Sequence, residues 1–372
     1  MGGLREIRVA ILKDFYFFAW DYKDFIEILS DYKWKGAMNK YYIQIEDLSW
    51  KKVLRGLSDI DVVIIPAADN FYLLLKSLLN PLETFRWKRE ICRFVKQGGG
   101  IIAHCAGTLL LCKFKETAKH PVIFLSNRSL SKITVLNTKL VWKISIPPFD
   151  QLIGKDPGES SYVYYSGMDL DHERTLTSGI PLQIRLNKKH PIFEDFKGEN
   201  CLVRWIGGPA FETDNALAYF PSKDMMSYKL HVWRFRCWRR YLKELIRNVW
   251  RARGLKNFPL EVLKLSWNLP CWEKDTRQVS LSIHGKPAMC EERLGKGRII
   301  LVSFHPEKRA WNPANFDFIE ESGREKRLKN PLIRWKNLSR EKMDIDTGWI
   351  VRREVAWVSG KVRKEELPPI EV

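Results

Sequence analysis

No apolar run in the chain is long enough to cross a membrane as a helix, and the longest, such as residues 61–68, have the length of buried strands. The N-terminal residues run straight into the strand-like Ile7-Arg8-Val9-Ala10-Ile11-Leu12 without the layout of a secretory signal, so a cytoplasmic location is expected. Cysteine is sparse and odd in number: Cys92, Cys105, Cys112, Cys201, Cys237, Cys271 and Cys290. They form no CxxC pair and no Cys/His cluster with zinc spacing, which argues against a disulfide framework and a structural metal. GxxxxGK[ST] is absent, so no P-loop nucleotide site is indicated, and no cofactor is expected. Acid is also short, with 44 Asp and Glu against 63 Lys and Arg, leaving a formal charge of +19. That excess favours an anionic partner such as nucleic acid, an acidic protein, lipid headgroups or a phosphorylated ligand, or else a solvated basic surface.

Apolar residues make up 45% of the 372, enough for a large core. In the first third, strand patterns alternate with helix patterns. Ile7 to Leu12 precedes a helix over 22–29; strand 41–45 precedes helix 50–54; strand 60–66 precedes helix 72–79; and helix 86–96 leads into strand 100–103. This rhythm predicts an α/β fold with a doubly wound, mostly parallel sheet. Residues 122–220 are richer in short strands (135–146, 162–165, 182–186, 201–206 and 217–220) and predict an antiparallel, β-rich extension. Strands resume at 279–283, 286–291 and 298–304, so 222–278 reads as an insertion into a domain spanning 1–310. Residues 311–372 read as a mixed-charge C-terminal extension.

The stretch Gly98-Gly99-Gly100-Ile101-Ile102-Ala103-His104-Cys105-Ala106-Gly107 carries the chemistry. A buried strand delivers a cysteine into a turn of small residues, and a helix-compatible run, 108–114, follows. A strand-turn-helix elbow presents a nucleophile above the carboxyl edge of a sheet in this way. Far downstream, His305 ends another apolar run, and Glu307 stands two residues beyond it. An imidazole can take the thiol proton while a carboxylate holds its tautomer and orientation, so Cys105, His305 and Glu307 form a candidate triad. His104, next to the nucleophile, reads as structural.

These pieces occur in a recognisable order. Val62-Val63-Ile64-Ile65-Pro66 comes first, followed by His104-Cys105-Ala106-Gly107 and then His190-Pro191-Ile192-Phe193. After these come Trp205-Ile206-Gly207-Gly208-Pro209-Ala210-Phe211 and Gly295-Lys296-Gly297-Arg298 before His305-Pro306-Glu307. The chain resembles the class I glutamine amidotransferase-like superfamily, and within it the domain at the N-terminus of biotin-protein ligases. The resemblance implies a flavodoxin-like core with Cys105 as nucleophile, His305 as base and Glu307 as its orienting acid. It implies attack on a C–N amide bond of a small-molecule substrate, with a separate acceptor or synthetase subunit if ammonia is used productively. The oxyanion donors would be the N–H of Ala106 and one in the turn after Pro66, at Ala67 or Ala68. In that turn the family usually carries glycines, and a positive φ there would strain alanine. Gly207 and Gly208 read as a tight loop at the pocket mouth, and Glu212 as a contact for a substrate ammonium. A related intracellular cysteine peptidase, or a catalytically silent ligand-binding module on the same fold, are the alternatives. The arginine-rich adenylate loop of a biotin ligase has no counterpart here.

Within the insertion, residues 225–256 interleave arginine with tryptophan. Phe235, Trp238, Leu242, Leu245 and Val249 have the 3-4-3-4 spacing of an amphipathic helix. Arg234, Arg236, Arg239, Arg240, Arg247 and Arg251 surround that stripe and are candidate contacts for nucleic acid or another polyanion. An interfacial membrane helix, or a stripe packed on the core, are the other readings.

Overall fold

The computed structural model describes residues 3–13, 22–67, 80–114, 134–141, 180–206, 208–222 and 283–312, and residues 343–371. It also describes the backbone of 227–235, 272–280, 318–320 and 333–335, and residues 243, 246, 247 and 250. Five strands form the parallel part of one large sheet: β1 (Leu4–Leu12), β3 (Lys40–Leu48), β4 (Val62–Ile65), β5 (Gly100–His104) and β15 (Gly297–Val302). Across the sheet they lie in the order β3-β1-β4-β5-β15. β2 (Lys33–Lys35) adds an antiparallel edge to β3. On the other side β14 (Pro287–Leu294), β11 (Ala216–Tyr219), β8 (Ile180–Leu186) and β9 (Asn200–Trp205) continue the sheet antiparallel to ten strands. The fold is mixed α/β. The expected β-rich extension is continuous with the parallel sheet, and a small second sheet joins β6 (Lys113–Phe114), β7 (Lys139–Val141) and β10 (Ala210–Glu212).

Continuous apolar runs make the central strands. All four residues of β4 and all five of β5 are buried, as strands covered on both faces require. Helix α1 (Tyr22–Leu29) buries Tyr22, Phe25 and Leu29, and α2 (Trp50–Arg55) buries Trp50 and Val53. Helix α3 (Pro81–Lys96) is capped by Asn80, which accepts from the Glu83 N–H, and it starts on a proline. It buries Trp87, Ile91, Phe94 and Val95, and Trp87 stacks on Trp50 with ring centroids 4.6 Å apart.

Three expectations are corrected. The run 108–114 is not a helix: Cys105–Leu110 form a 3-10 turn, closed where Thr108 Oγ1 donates to the Cys105 carbonyl at 2.6 Å, and the chain then enters β6. The basic insertion does not begin as a helix. Ser227–Phe235 (β12) pairs antiparallel with Trp272–Ser280 (β13) over nine residues, consistent with the period-2 alternation of Tyr228, Leu230 and Val232. Phe235 is therefore on a strand, residues 243, 246, 247 and 250 are helical, and Trp238, Leu242, Leu245 and Val249 lie outside the described residues. Last, the segment beyond 310 is not merely an appendage. Helix α4 (Gly348–Val358) buries Trp349, Ile350, Val351, Val355, Ala356 and Val358, and it packs on β5 and β15. The expected elements at 72–79 and 162–165 lie outside the described residues.

Polar groups fasten α4 and the residues around it. Glu291 on β14 accepts from His190 Nε2 at 2.9 Å, Trp357 Nε1 at 2.7 Å and Arg293 Nε at 3.2 Å. Burial would raise its carboxyl, but the His190, Trp357 and Arg293 hydrogen bonds, together with the His190 charge, outweigh burial and hold it at about 2. A depressed folded-state value stabilises the fold above the unfolded value of 4.5, and that stabilisation is lost as pH falls toward about 2. Wild type is therefore expected to resist urea better than Glu291→Gln at pH 7, with the difference closing between those two values. A difference that stays constant over the acid range would contradict this assignment.

Candidate active site

Cys105 follows directly on β5, at the carboxyl end of the parallel block. Its φ is 45°, and among the described non-glycine residues only Asp31 shares that left-handed region, at 55°. A side chain at this φ costs about 1–2 kcal/mol relative to right-handed backbone. The strain comes from the elbow itself: the strand must turn at once so that Gly107 can seat beneath the end of β4. A Cβ at Gly107 would lie 2.5 Å from the Ile65 carbonyl oxygen and 2.6 Å from that of Pro66. Only a residue without a side chain permits this approach. The two predicted oxyanion positions that the structure describes, Ala106 and Ala67, thus belong to adjacent strand ends. Ala67 is half-buried and is not among the left-handed residues, so the alanine there carries no positive-φ strain; Ala68 lies outside the described residues.

β15 runs beside β5 with Val302 opposite His104, so the chain beyond Val302 leaves the sheet next to the elbow. His305 and Glu307 follow within five residues, both buried. His305 Nδ1 lies 2.6 Å from Glu307 Oε1, which fixes the tautomer with Nδ1 as donor and directs the acceptor capacity to Nε2. The backbone N–H of His305 donates to the Arg204 carbonyl at 2.8 Å, joining the end of β9 to this turn. From the same strand end, the Ile206 carbonyl oxygen lies 4.0 Å from Cys105 Sγ. Gly208 follows, so close to β15's exit that an added Cβ would meet the Ser303 carbonyl oxygen at 1.8 Å. Trp205 Nε1 donates to the Gly208 carbonyl at 3.0 Å and pins this loop. Cys105, His305, Glu307, Ala106, Ala67 and Gly208 therefore converge at the ends of β4, β5, β9 and β15.

Of the remaining sequence candidates, none is brought into this cluster among the described residues. Gly207, next to Gly208, lies outside the described residues. Glu212, exposed at the end of β10, is in register with Lys139 on β7, which assigns it to the small sheet. Arg234 sits on β12 opposite Glu273, and Arg247 is exposed in helical backbone, whereas Arg236, Arg239, Arg240 and Arg251 lie outside the described residues.

Two further residues join the cluster: His104, which the sequence reads as structural, and Glu354, which it does not single out. His104 is fully buried, and its ring joins two acids: Nδ1 lies 3.0 Å from Glu307 Oε2 and Nε2 lies 3.1 Å from Glu354 Oε2. Burial disfavours charge on this ring, but the Glu354 charge and the hydrogen bonds to Glu307 and Glu354 outweigh it and raise its pKa to about 9. Burial would likewise raise Glu307, yet His305 and His104 together hold that carboxyl well below the usual carboxylate range. Glu354 moves the other way, raised by burial against the pull of His104. These shifts favour the charged form of His104 and of Glu307, whose two oxygens face the two histidines. A signal for His104 was present in its position beside Cys105. None pointed to Glu354, which stands some 250 residues away in a helix of mixed charge.

No family model matches the chain, and no curated protein sequence matches it. Among solved structures, it is similar to a β-galactosidase from Bacillus circulans sp. alkalophilus at 12% identity and a TM-score of 0.32. That alignment covers 84% of this chain and 33% of the other, so the chain spans about a third of the β-galactosidase. It is also similar to a cytoplasmic protein from Salmonella typhimurium LT2, at 10% identity and a TM-score of 0.28, covering 80% of this chain and 87% of that one. A second cytoplasmic protein from Salmonella typhimurium aligns at 9% identity with a TM-score of 0.27, over 80% of this chain and 86% of that one. Likenesses at this level assign no activity. Among the described residues, no helix is long and apolar enough to cross a membrane, and no group of three or more His, Cys, Asp or Glu could hold a metal ion.

Proposed function

We propose that the protein is an amidotransferase-like cysteine hydrolase that cleaves a C–N amide bond, built on a flavodoxin-like core similar to the biotin-protein ligase N-terminal domain. The observation that carries this reading is the left-handed Cys105 at the end of a central parallel strand, with a histidine already oriented by an acid three residues past the end of the neighbouring strand β15. The strand order also supports it. Numbered along the chain, the five parallel strands lie 2-1-3-4-5, the flavodoxin order, whose ligand crevice opens at the carboxyl ends. Five described cysteines, including Cys105, are free thiols, which suits a reducing, cytoplasmic setting.

In this mechanism His305 Nε2 takes the Cys105 proton as Sγ attacks the amide carbonyl carbon. The N–H groups of Ala106 and Ala67 receive the oxyanion. Collapse breaks the C–N bond, and the proton passes from His305 to the departing ammonia. Water, deprotonated by the same ring, then cleaves the thioester and frees the thiol. Throughout, Glu307 holds His305 Nδ1 and offsets the transient imidazolium charge. Ammonia release from glutamine and from a panel of simple primary amides, compared between wild type and Cys105→Ala, tests this reading. Cys105-dependent release on at least one amide is expected. Equal release from both proteins would leave a binding module.

The insertion supports a second reading, contact with nucleic acid or another polyanion. Ile246 and Trp250 are 59% and 65% exposed on the helical segment that also exposes Lys243 and Arg247. Affinity for single-stranded DNA is expected to fall steeply between about 50 and 200 mM salt. A flat response over that range would exclude phosphate-driven binding.

A further inference from the structure

We propose that His104 and Glu354 are positioning residues of the Cys105 site. In this arrangement Glu354, delivered by α4, seats the His104 ring, and that ring holds the second oxygen of Glu307, thereby setting the orientation of His305. The inference rests on the reading above, in which His305 is the base for Cys105.

The geometry forms an unbroken buried chain. Glu354 Oε2 meets His104 Nε2 at 3.1 Å, His104 Nδ1 meets Glu307 Oε2 at 3.0 Å, and Glu307 Oε1 meets His305 Nδ1 at 2.6 Å. The side chains of His104, Glu307 and Glu354 are wholly shielded from solvent. A carboxylate held through one oxygen alone can swing about its terminal torsion. Held through both, Glu307 presents a fixed lone pair to His305. Simple packing does not account for this arrangement. Burying ions is expensive, and an apolar side chain at each position would fill comparable space without desolvating charge. One oxygen of Glu354, Oε1, has no hydrogen-bond partner, so the cluster is not optimised for stability alone.

The surroundings of His104 leave few other influences. Helix α1 contributes the Phe25 ring, edge-on at 5.0 Å, and Asp24, which pairs with Lys308 of the turn after β15. From that same turn come His305 and Glu307. Helix α4 contributes Glu354 and Arg353, the latter bound to Asp195 and to the carbonyls of Pro191 and Pro368. β4 carries no ionisable residue.

The test uses the full-length protein and two variants close in shape. His104→Asn keeps a donor near the Nδ1 position but removes the charge; Glu354→Gln keeps an acceptor for His104 but removes the other charge. A protonated His104 partly neutralises Glu307, 3.0 Å away. In His104→Asn the Glu307 carboxylate faces His305 alone, so an imidazolium at His305 is favoured and its titration moves up by about one pH unit. In Glu354→Gln, His104 is expected to lose its proton below the wild-type value of about 9, and kcat to fall about tenfold with KM within twofold. Ring titrations are read by NMR on protein carrying nitrogen-15 histidine, and turnover by ammonia release against pH. Melting curves establish folding; should His104→Asn fail to fold, Glu354→Gln carries the test.

Ring titrations and pH profiles that superimpose on wild type would overturn the proposal, and turnover persisting in that case would leave the triad reading untouched. Ring titrations that shift as stated, in a protein without Cys105-dependent turnover, would support the relay and sink the amidase reading instead.

Discussion

Cys105→Ala is expected to lower amide hydrolysis by at least about three orders of magnitude, to the level left by binding and the oxyanion donors alone. His305→Ala should do the same. The double variant should be no worse than either single one, because in the proposed mechanism thiol and imidazole act as one device and removing either disables both. Cys105 also permits a stability test that needs no substrate. Alanine retains the Cβ that the left-handed backbone at φ 45° disfavours, whereas glycine does not. Cys105→Gly is therefore expected to be more stable than Cys105→Ala by about 1 kcal/mol in chemical denaturation. At an ordinary strand end the ranking reverses, because glycine gives up more backbone entropy. Equal or reversed stabilities would mean that the elbow is unstrained in solution.

The second large effect is expected at Gly208. A methyl group there would sit 1.8 Å from the Ser303 carbonyl oxygen and 2.8 Å from the Ser303 carbonyl carbon. Both are backbone atoms, so relief requires the loop after β9 or the exit of β15 to move bodily. Overpacking in a well-filled interior costs about 1–3 kcal/mol, and a clash with main chain belongs at the upper end or beyond, so Gly208→Ala is expected to lose about 3 kcal/mol. The displaced segment bears directly on His305, whose N–H is tied to the Arg204 carbonyl on that same strand. Activity should therefore fall even at temperatures where the variant remains folded. Gly3 serves as the control, since a Cβ there meets nothing within 4 Å and Gly3→Ala should stay within about 0.5 kcal/mol of wild type. A Gly208→Ala protein as stable and active as the control would show that the loop does not press on Ser303.

What could be read from sequence follows from how locally each feature is encoded. The parallel strands announce themselves as short apolar runs, and α1 was legible to the residue because Tyr22, Phe25 and Leu29 mark a single face. Cys105, His305 and Glu307 were found because each stands at the end of such a run. Residues 227–235 were harder: the 3-4-3-4 spacing that starts at Phe235 suggested a helix for the basic insertion, yet pairing with Trp272–Ser280, remote in sequence, decided for strand. Helix α4 was missed because Arg352, Arg353 and Glu354 give it a surface-like composition. Two of these three are buried, and their partners, Asp195 and His104, are remote in sequence. Long-range charge pairing leaves no periodic trace, so Glu354 could be recognised only once the chain was folded.

The central claim, a thiol nucleophile activated by His305, is most directly tested by mapping adducts from a chloromethyl ketone analogue of glutamine. The account predicts one stoichiometric modification, located on Cys105 by peptide mass, with Cys92, Cys112, Cys201 and Cys290 unlabelled. It also predicts that this adduct fails to form in His305→Ala. Labelling of Cys105 at the same rate with and without the imidazole, or labelling scattered over the other cysteines, would contradict it.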